Sequence, residues 1–164
     1  MKRAARLSLC ALVLLLVPAP LAFAAGPADE WTATDPPIRY GHIAHGGINR
    51  HGEPVGYHHR DDGIDPPGAR VVRIIAAPDA NGVYRARVEI RDPLTGAWID
   101  KRAPSTFFPD ALSDRDVIAA ILAAFHDGRR RRDGRFIGVS GRGFAIEGWY
   151  VHGRITAAYP LYGP

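Results

Sequence analysis

Five of the seven histidines in the 164-residue chain fall between positions 42 and 60, in the stretch HIAHGGINRHGEPVGYHHR. An imidazole titrates near pH 6.5, so a pair of them can take a proton from one group and give one to another within a single cycle. His42 and His58 are the candidate pair. Lys101 adds a third polar group and is the only lysine after Lys2. In a chain that otherwise uses arginine, a lone lysine suits a place that needs a compact point charge against developing negative charge. The other histidines read as structural. His45 and His51 belong to solvated loop, His59 points away from its neighbour, His126 sits at a helix end where the dipole favours it, and His152 lies in a turn.

The elements that must carry these groups follow from periodicity. Gly41, Gly46, Gly47, Gly52 and Gly56 argue against a stable helix across the histidine stretch and favour tight turns. The segment is expected to loop back and bring His42 and His58 to one cleft, with Gly46 and Gly56 as backbone hinges. DDGIDPPG, residues 61–68, reads as a turn-rich linker. Residues 71–77, 83–91 and 97–101 read as an antiparallel meander, the second with period-two alternation. Residues 113–127 form the one clear amphipathic helix. Ser113 and Asp116 make a capping box, and Val117, Ile118, Ile121, Leu122 and Phe125 make the apolar stripe. Gly128 is read as the stop, Arg129–Arg132 as a solvated charge run with an RNA-backbone contact as the alternative, and residues 135–140, 144–151 and 154–159 as closing strands. The expected fold class is α+β, one domain of antiparallel sheets with a single helix.

The first 24 residues read as a leader rather than as fold. Lys2, Arg3 and Arg6 precede an apolar run from Leu7 to Val17, and Ala22-Phe23-Ala24 has the small-x-small cleavage pattern. The run is too short for the roughly 20 residues of a spanning helix. Cleavage after Ala24 and a secreted or periplasmic address are expected, with residues 25–40 as an extended lead-in and 41–164 as the domain. The single cysteine, Cys10, goes with the leader, which excludes a disulfide, a cysteine metal site and a cysteine nucleophile from the mature domain. The leader also takes three of the 21 basic residues, leaving 18 against 17 acidic. Bulk charge therefore does not explain nucleic-acid binding, and any steering must be local.

Taken in order, these motifs resemble the EndoU family of uridylate-preferring endoribonucleases, which includes bacterial toxin domains. HIAHG supplies the first histidine. VGYHH supplies the second in a Gly-x-His pattern 16 residues later, Lys101 follows 43 residues beyond it, and the chain closes on WYVHGRITAAYP with Tyr159-Pro160. The resemblance covers the whole mature domain and implies two sheets flanking a cleft. It implies catalytic His42, His58 and Lys101, with His58 as base and His42 as acid. For substrate binding it implies Ser105, Tyr159 and Thr156. The family often carries Ser or Thr two residues before the tyrosine, where this chain has Ala157; either a one-residue shift brings Thr156 into that role, or the base contact falls to Ser105 and main chain.

Two histidines and a lysine suit cleavage of RNA by its own 2′-hydroxyl. One imidazole removes that proton, the oxygen attacks phosphorus, the other imidazole protonates the leaving 5′-oxygen, and a 2′,3′-cyclic phosphate results. No cofactor is required, and Mn²⁺ is at most a stimulant. The expected partners are an RNA substrate and an inhibitor or immunity protein, with no membrane after leader cleavage. One competing reading is a histidine-rich module holding Zn²⁺ or Ni²⁺ through His42 and His45 or through His58 and His59. The other, prompted by Ala157, is a family member that binds RNA without cutting it.

Overall fold

A computed structural model describes residues 30–163. The expected leader and its cleavage site lie outside the described residues. The fold is α+β with antiparallel sheets, as the periodicity indicates. The elements in order are helix α1 (Tyr40–Ala44), strands β1 (Gly47–Ile48) and β2 (Pro54–Val55), a 3-10 turn (Asp61–Gly63), β3 (Ala69–Ala76), β4 (Tyr84–Arg91), β5 (Trp98–Asp100), β6 (Ser105–Phe107), helix α2 (Asp114–Asp127), β7 (Arg129–Arg130), β8 (Arg135–Val139), β9 (Ala145–Val151) and β10 (Arg154–Pro160).

Two of the sheets are four-stranded. In the first, β4 pairs with β3 on one side and with both β5 and β6 on the other. The chain leaves β4 after Asp100 and returns at Ser105, so Lys101 and Ser105 bracket a break in one sheet edge. The inner face of this sheet presents Tyr84, Ala86, Val88, Ile90 and Phe107, and Tyr57 covers it. The second sheet runs β10-β9-β8-β7. Its inner face packs on α2 through Phe136, Ile146, Ile155 and Ala158 against Val117, Ile121 and Phe125, together with Ile38, Tyr40 and Ile43 from before and within α1.

Helix α2 is set by its sequence. The Ser113 hydroxyl accepts from the Asp116 N–H, and the Asp116 carboxylate accepts from the Ser113 N–H, each at 3.3 Å. That closes the capping box and satisfies orphan donors of the first turn. Gly128 does not end the helix in a left-handed turn; it is extended, at φ −74° and ψ 153°. Glycine is needed there because a Cβ would lie 2.6 Å from the carbonyl oxygens of Ala124 and Ile137. One expectation is corrected, and the exposed arginine run gains a detail. The glycine-broken histidine stretch does hold a helix, one short turn that contains Gly41, ends before Gly46 and is anchored by buried Tyr40 and Ile43. The arginine run is partly strand, since Arg129 and Arg130 pair with Ile137 and Phe136.

Candidate active site

Helix α1 buries Tyr40 and Ile43 and leaves His42 on its half-exposed side. Gly46, at φ +62°, turns the chain into the β1–β2 hairpin. Gly56 (φ +74°) and Tyr57 (φ +63°) then bring it back over α1. The return is fastened through the backbone. The Tyr57 N–H donates to the His42 carbonyl at 3.0 Å, and the His58 N–H donates to the Ile43 carbonyl at 2.7 Å. His42 and His58, 16 positions apart in sequence, thereby become neighbours. A left-handed tyrosine costs roughly 1–2 kcal/mol of backbone strain. The fully buried ring of Tyr57, edge-on to Phe107 at 5.1 Å with its hydroxyl donating to Asp65, offsets it.

His58 is 8% exposed, and its ring Nδ1 lies 2.9 Å from the Thr106 carbonyl. A carbonyl only accepts, so Nδ1 carries the hydrogen and Nε2 keeps its lone pair. The ring stacks on Tyr159 at 5.2 Å and 27°. Burial, and then the nearby charge of Lys101, hold the imidazolium well below the usual histidine range; the Thr106 carbonyl works the other way, and a charge on His42 adds to the lowering. The geometry therefore presents a neutral imidazole near pH 7 with one free basic nitrogen.

The Lys101 amine donates to the Gly56 carbonyl at 2.9 Å and to the Ser105 hydroxyl at 2.7 Å. Burial lowers its pKa to about 8. Gly56 is the hub of the cluster. Its carbonyl holds the ammonium, and its bare Cα faces His42 so closely that a Cβ would lie 2.9 Å from the His42 ring Nδ1 and 2.1 Å from the His42 carbonyl oxygen. His42, His58 and Lys101 are thus gathered around one glycine. Nothing but their order and Gly-x-His spacing pointed to this in the sequence, where Gly56 reads as a hinge.

Ser105 is completely buried, with its hydroxyl between the Lys101 amine and, at 3.3 Å, the Gly56 carbonyl. As placed, it has no face toward solvent from which to meet a base. Tyr159 is half-buried. Burial first, and then the adjacent Glu147 carboxylate, raise its pKa. Glu147 in turn pairs with Arg135 at 2.5 Å. Thr156 falls at an irregularity of the β9–β10 ladder, between the Ile155–Tyr150 and Ala157–Trp149 pairs. The extra residue lets Ile155 and Ala158 both face the core while Tyr159 faces His58. The Thr156 hydroxyl donates weakly to the Trp149 carbonyl, at 3.4 Å.

Sequence reasoning passed over Trp149, whose ring lies 5.9 Å from that of Tyr159, and Glu147. The signal was present: Glu147 is the one acid in an apolar strand, AIEGWYV. His51 is exposed and His45 half-exposed. The hydrogen-bonding pattern bears on one of the two pairs of the metal-module reading, His58 with His59. His59 uses both nitrogens elsewhere, with Nε2–H donating to the Leu112 carbonyl at 2.8 Å and Nδ1 lying 2.9 Å from the Tyr40 hydroxyl. His58 and His59 therefore do not chelate together. Among the described residues, no three His, Cys, Asp or Glu groups are placed to hold an ion.

Comparison with known proteins gives this cluster its context. The model of the bacterial EndoU nuclease family matches residues 38–162, a span that begins just before α1 and closes just after β10. A relative described as a toxin, from Bacillus cereus, is 30% identical over 122 residues, which is 73% of this chain and 21% of the relative. The chain thus spans about a fifth of that relative's length. No solved structure matches the chain. The histidine hairpin, the lysine at the sheet break and the terminal tyrosine strand all lie within the matched span, and the chain belongs to the bacterial EndoU nuclease family.

Proposed function

We propose that the domain is a metal-independent endoribonuclease that cuts RNA at uridines. The observation that carries this reading is the gathering of His42, His58 and Lys101 around Gly56, with His58 Nε2 left basic. His58 Nε2 takes the proton of the ribose 2′-hydroxyl. The 2′-oxygen bonds to phosphorus, the bond from phosphorus to the 5′-oxygen breaks, and His42 gives that oxygen a proton. The Lys101 ammonium faces the non-bridging oxygens as charge gathers on them. The products are a 2′,3′-cyclic phosphate and a 5′-hydroxyl. Each acid or base group typically contributes 10²–10⁴-fold.

Uracil selection falls to Tyr159, Thr156 and main chain around them. Ser105 serves by holding Lys101. The toxin relative favours a secreted effector neutralised by an immunity protein, and the leader-like first 24 residues favour export.

The test is an oligoribonucleotide with a single uridine, incubated with EDTA and mapped for its ends. Cleavage 3′ of the uridine with a cyclic phosphate is expected. The same oligonucleotide with a 2′-deoxyuridine at that position should stay intact. Cutting of the deoxy substrate, or cutting that requires a metal ion, removes the mechanism. Binding of both oligonucleotides without cutting of either would favour the non-catalytic reading.

A further inference from the structure

The geometry points to a second binding surface: a track for single-stranded RNA backbone that crosses the outer face of the β7–β10 sheet and ends on Arg129 and Arg131. It rests on the reading of the domain as a ribonuclease and extends it to nucleotides beyond the cut.

Opposed residues of an antiparallel ladder share a face. Tyr159 pairs with Glu147, Glu147 with Ile137, and Ile137 with Arg129. In the neighbouring row, Ala157 pairs with Trp149 and Trp149 with Arg135, whose carbonyl accepts from the Arg131 N–H at 2.8 Å. Both rows start beside the candidate active site and end on arginine. Three strand spacings of about 4.8 Å place Arg129 roughly 14 Å from Tyr159.

The opposite face of the sheet is occupied by α2, with Phe125 edge-on to Phe136 at 5.3 Å. The outer face is covered near the site, where Glu147 is 7% exposed, and opens away from it, where Ile137, Val139 and Val151 are 40%, 53% and 38% exposed. A hollow of about 520 Å³ at its far edge is lined by Arg129, Arg131, Ile137 and Val139, with Asp127 on the rim.

The charge on this face is uneven. Arg135 is tied to Glu147, while Arg130 turns to the other face and lies over the Phe125 ring at 5.0 Å. Among the described residues, the side chains of Arg129 and Arg131 have neither an ion pair nor a ring contact. The acids nearby are engaged: Asp127 accepts from the Val139 N–H and Asp133 from the Arg135 N–H. A floor of apolar and aromatic side chains, crossed by the Arg135–Glu147 pair and leading to unpaired guanidinium groups, matches a single strand, whose bases are flat and whose phosphates are anionic. A protein partner on the same face is the competing occupant, and the following experiment separates them.

Cleavage is measured on a uridine-containing dinucleotide and on an oligonucleotide of about twelve nucleotides, across a range of salt concentrations. The proteins are the wild type, the double variant Arg129→Ala with Arg131→Ala, and the double variant Arg129→Lys with Arg131→Lys. For the wild type, KM for the longer RNA is expected to be lower by about tenfold and to depend steeply on salt. The alanine variant should narrow that gap. It should also lower the slope of log KM against log salt by about 1.4, since each phosphate contact to a single strand contributes about 0.7. The lysine variant, which keeps the charge, should retain most of the slope. An alanine variant with the wild-type gap and slope overturns the track while leaving the ribonuclease reading in place, and leaves the face to a protein. Failure of the wild type to cut either substrate removes the ribonuclease reading and the track together.

Discussion

The Lys101 amine is fastened to the backbone carbonyl of Gly56, 45 positions earlier in the chain, at 2.9 Å. The same glycine lies flat against His42. The proposed acid His42 and the proposed phosphate counter-charge Lys101 are therefore set by one peptide unit, and any change in its path is felt by both.

Substituting Gly56→Ala should test this directly. The new methyl would lie 2.1 Å from the His42 carbonyl oxygen, at a φ of +74° that strains any other residue. A stability loss above about 3 kcal/mol in urea titration is expected, with loss of cleavage. Gly52→Ala is the control. It has a similar φ of +77° but nothing within 4 Å, so it should cost only about 1–2 kcal/mol of local strain and leave cleavage in place.

The pH dependence has a definite sign. The proposed reaction needs His58 neutral and both His42 and Lys101 protonated. His58 is held well below the histidine range, so the acid limb should lie below about pH 6.5. Lys101 has a pKa of about 8, so the rate should fall as pH rises through that value. Stability should move the other way on the alkaline side. Between pH 8 and the ordinary lysine value of 10.5 the unfolded chain holds a proton that the folded chain has shed. In that window the contribution of Lys101 to stability rises with pH while catalysis declines. On the acid side, unfolding takes up a proton at His58 below its ordinary value of 6.5, so acidification through that range destabilises the fold. Parallel rate and thermal-melt profiles would check both limbs. A rate that stays flat past pH 9 would count against the role of Lys101.

The burial of Ser105 makes a prediction distinct from base reading. Ser105→Ala removes one of two acceptors of the Lys101 ammonium. A hydrogen bond to a charged group is worth about 1.5–3 kcal/mol, so a drop in kcat/KM of about tenfold or more is expected, with the alkaline limb displaced to lower pH. The ratio of uridine to cytidine cleavage should stay at its wild-type value. A relaxed ratio with an unmoved limb would return Ser105 to the base.

Much of this site was legible because its signals were chemical. A lone lysine, a Gly-x-His pattern and a closing Tyr-Pro stand out by type, and the capping box of α2 stands out by spacing. Other features were hidden for physical reasons. Helix α1 is a single turn, too short for periodicity, and is held by tertiary burial of Tyr40 and Ile43 rather than by propensity. Strand β7 consists of two arginines, which carry no strand signature of their own. The burial of Ser105 depends on the break between β5 and β6 on the edge of β4, a pairing with no local mark.

Tyr159 should act through its ring more than its hydroxyl where it meets His58. Tyr159→Phe keeps the 5.2 Å stack and should lose less than about tenfold. Tyr159→Ala opens the pocket beside the imidazole. It should cost about 1–3 kcal/mol in kcat/KM, the scale of one stacked base or ring. Equal losses in the two variants would place the function in the hydroxyl and its Glu147 neighbour instead.

The buried apolar residues form two separate clusters, one under each sheet, and the reacting groups are drawn from both. Lys101 and Ser105 stand on the first sheet, Tyr159 on the second, and the His42 turn is rooted by Ile43 and Tyr40 in the second cluster while the chain around Tyr57 is rooted in the first. Partial melting of either layer therefore dismantles the centre even when the other survives. Enzymatic turnover is then a gauge of the weaker layer, and during denaturation it should vanish ahead of any spectroscopic signal averaged over the whole molecule.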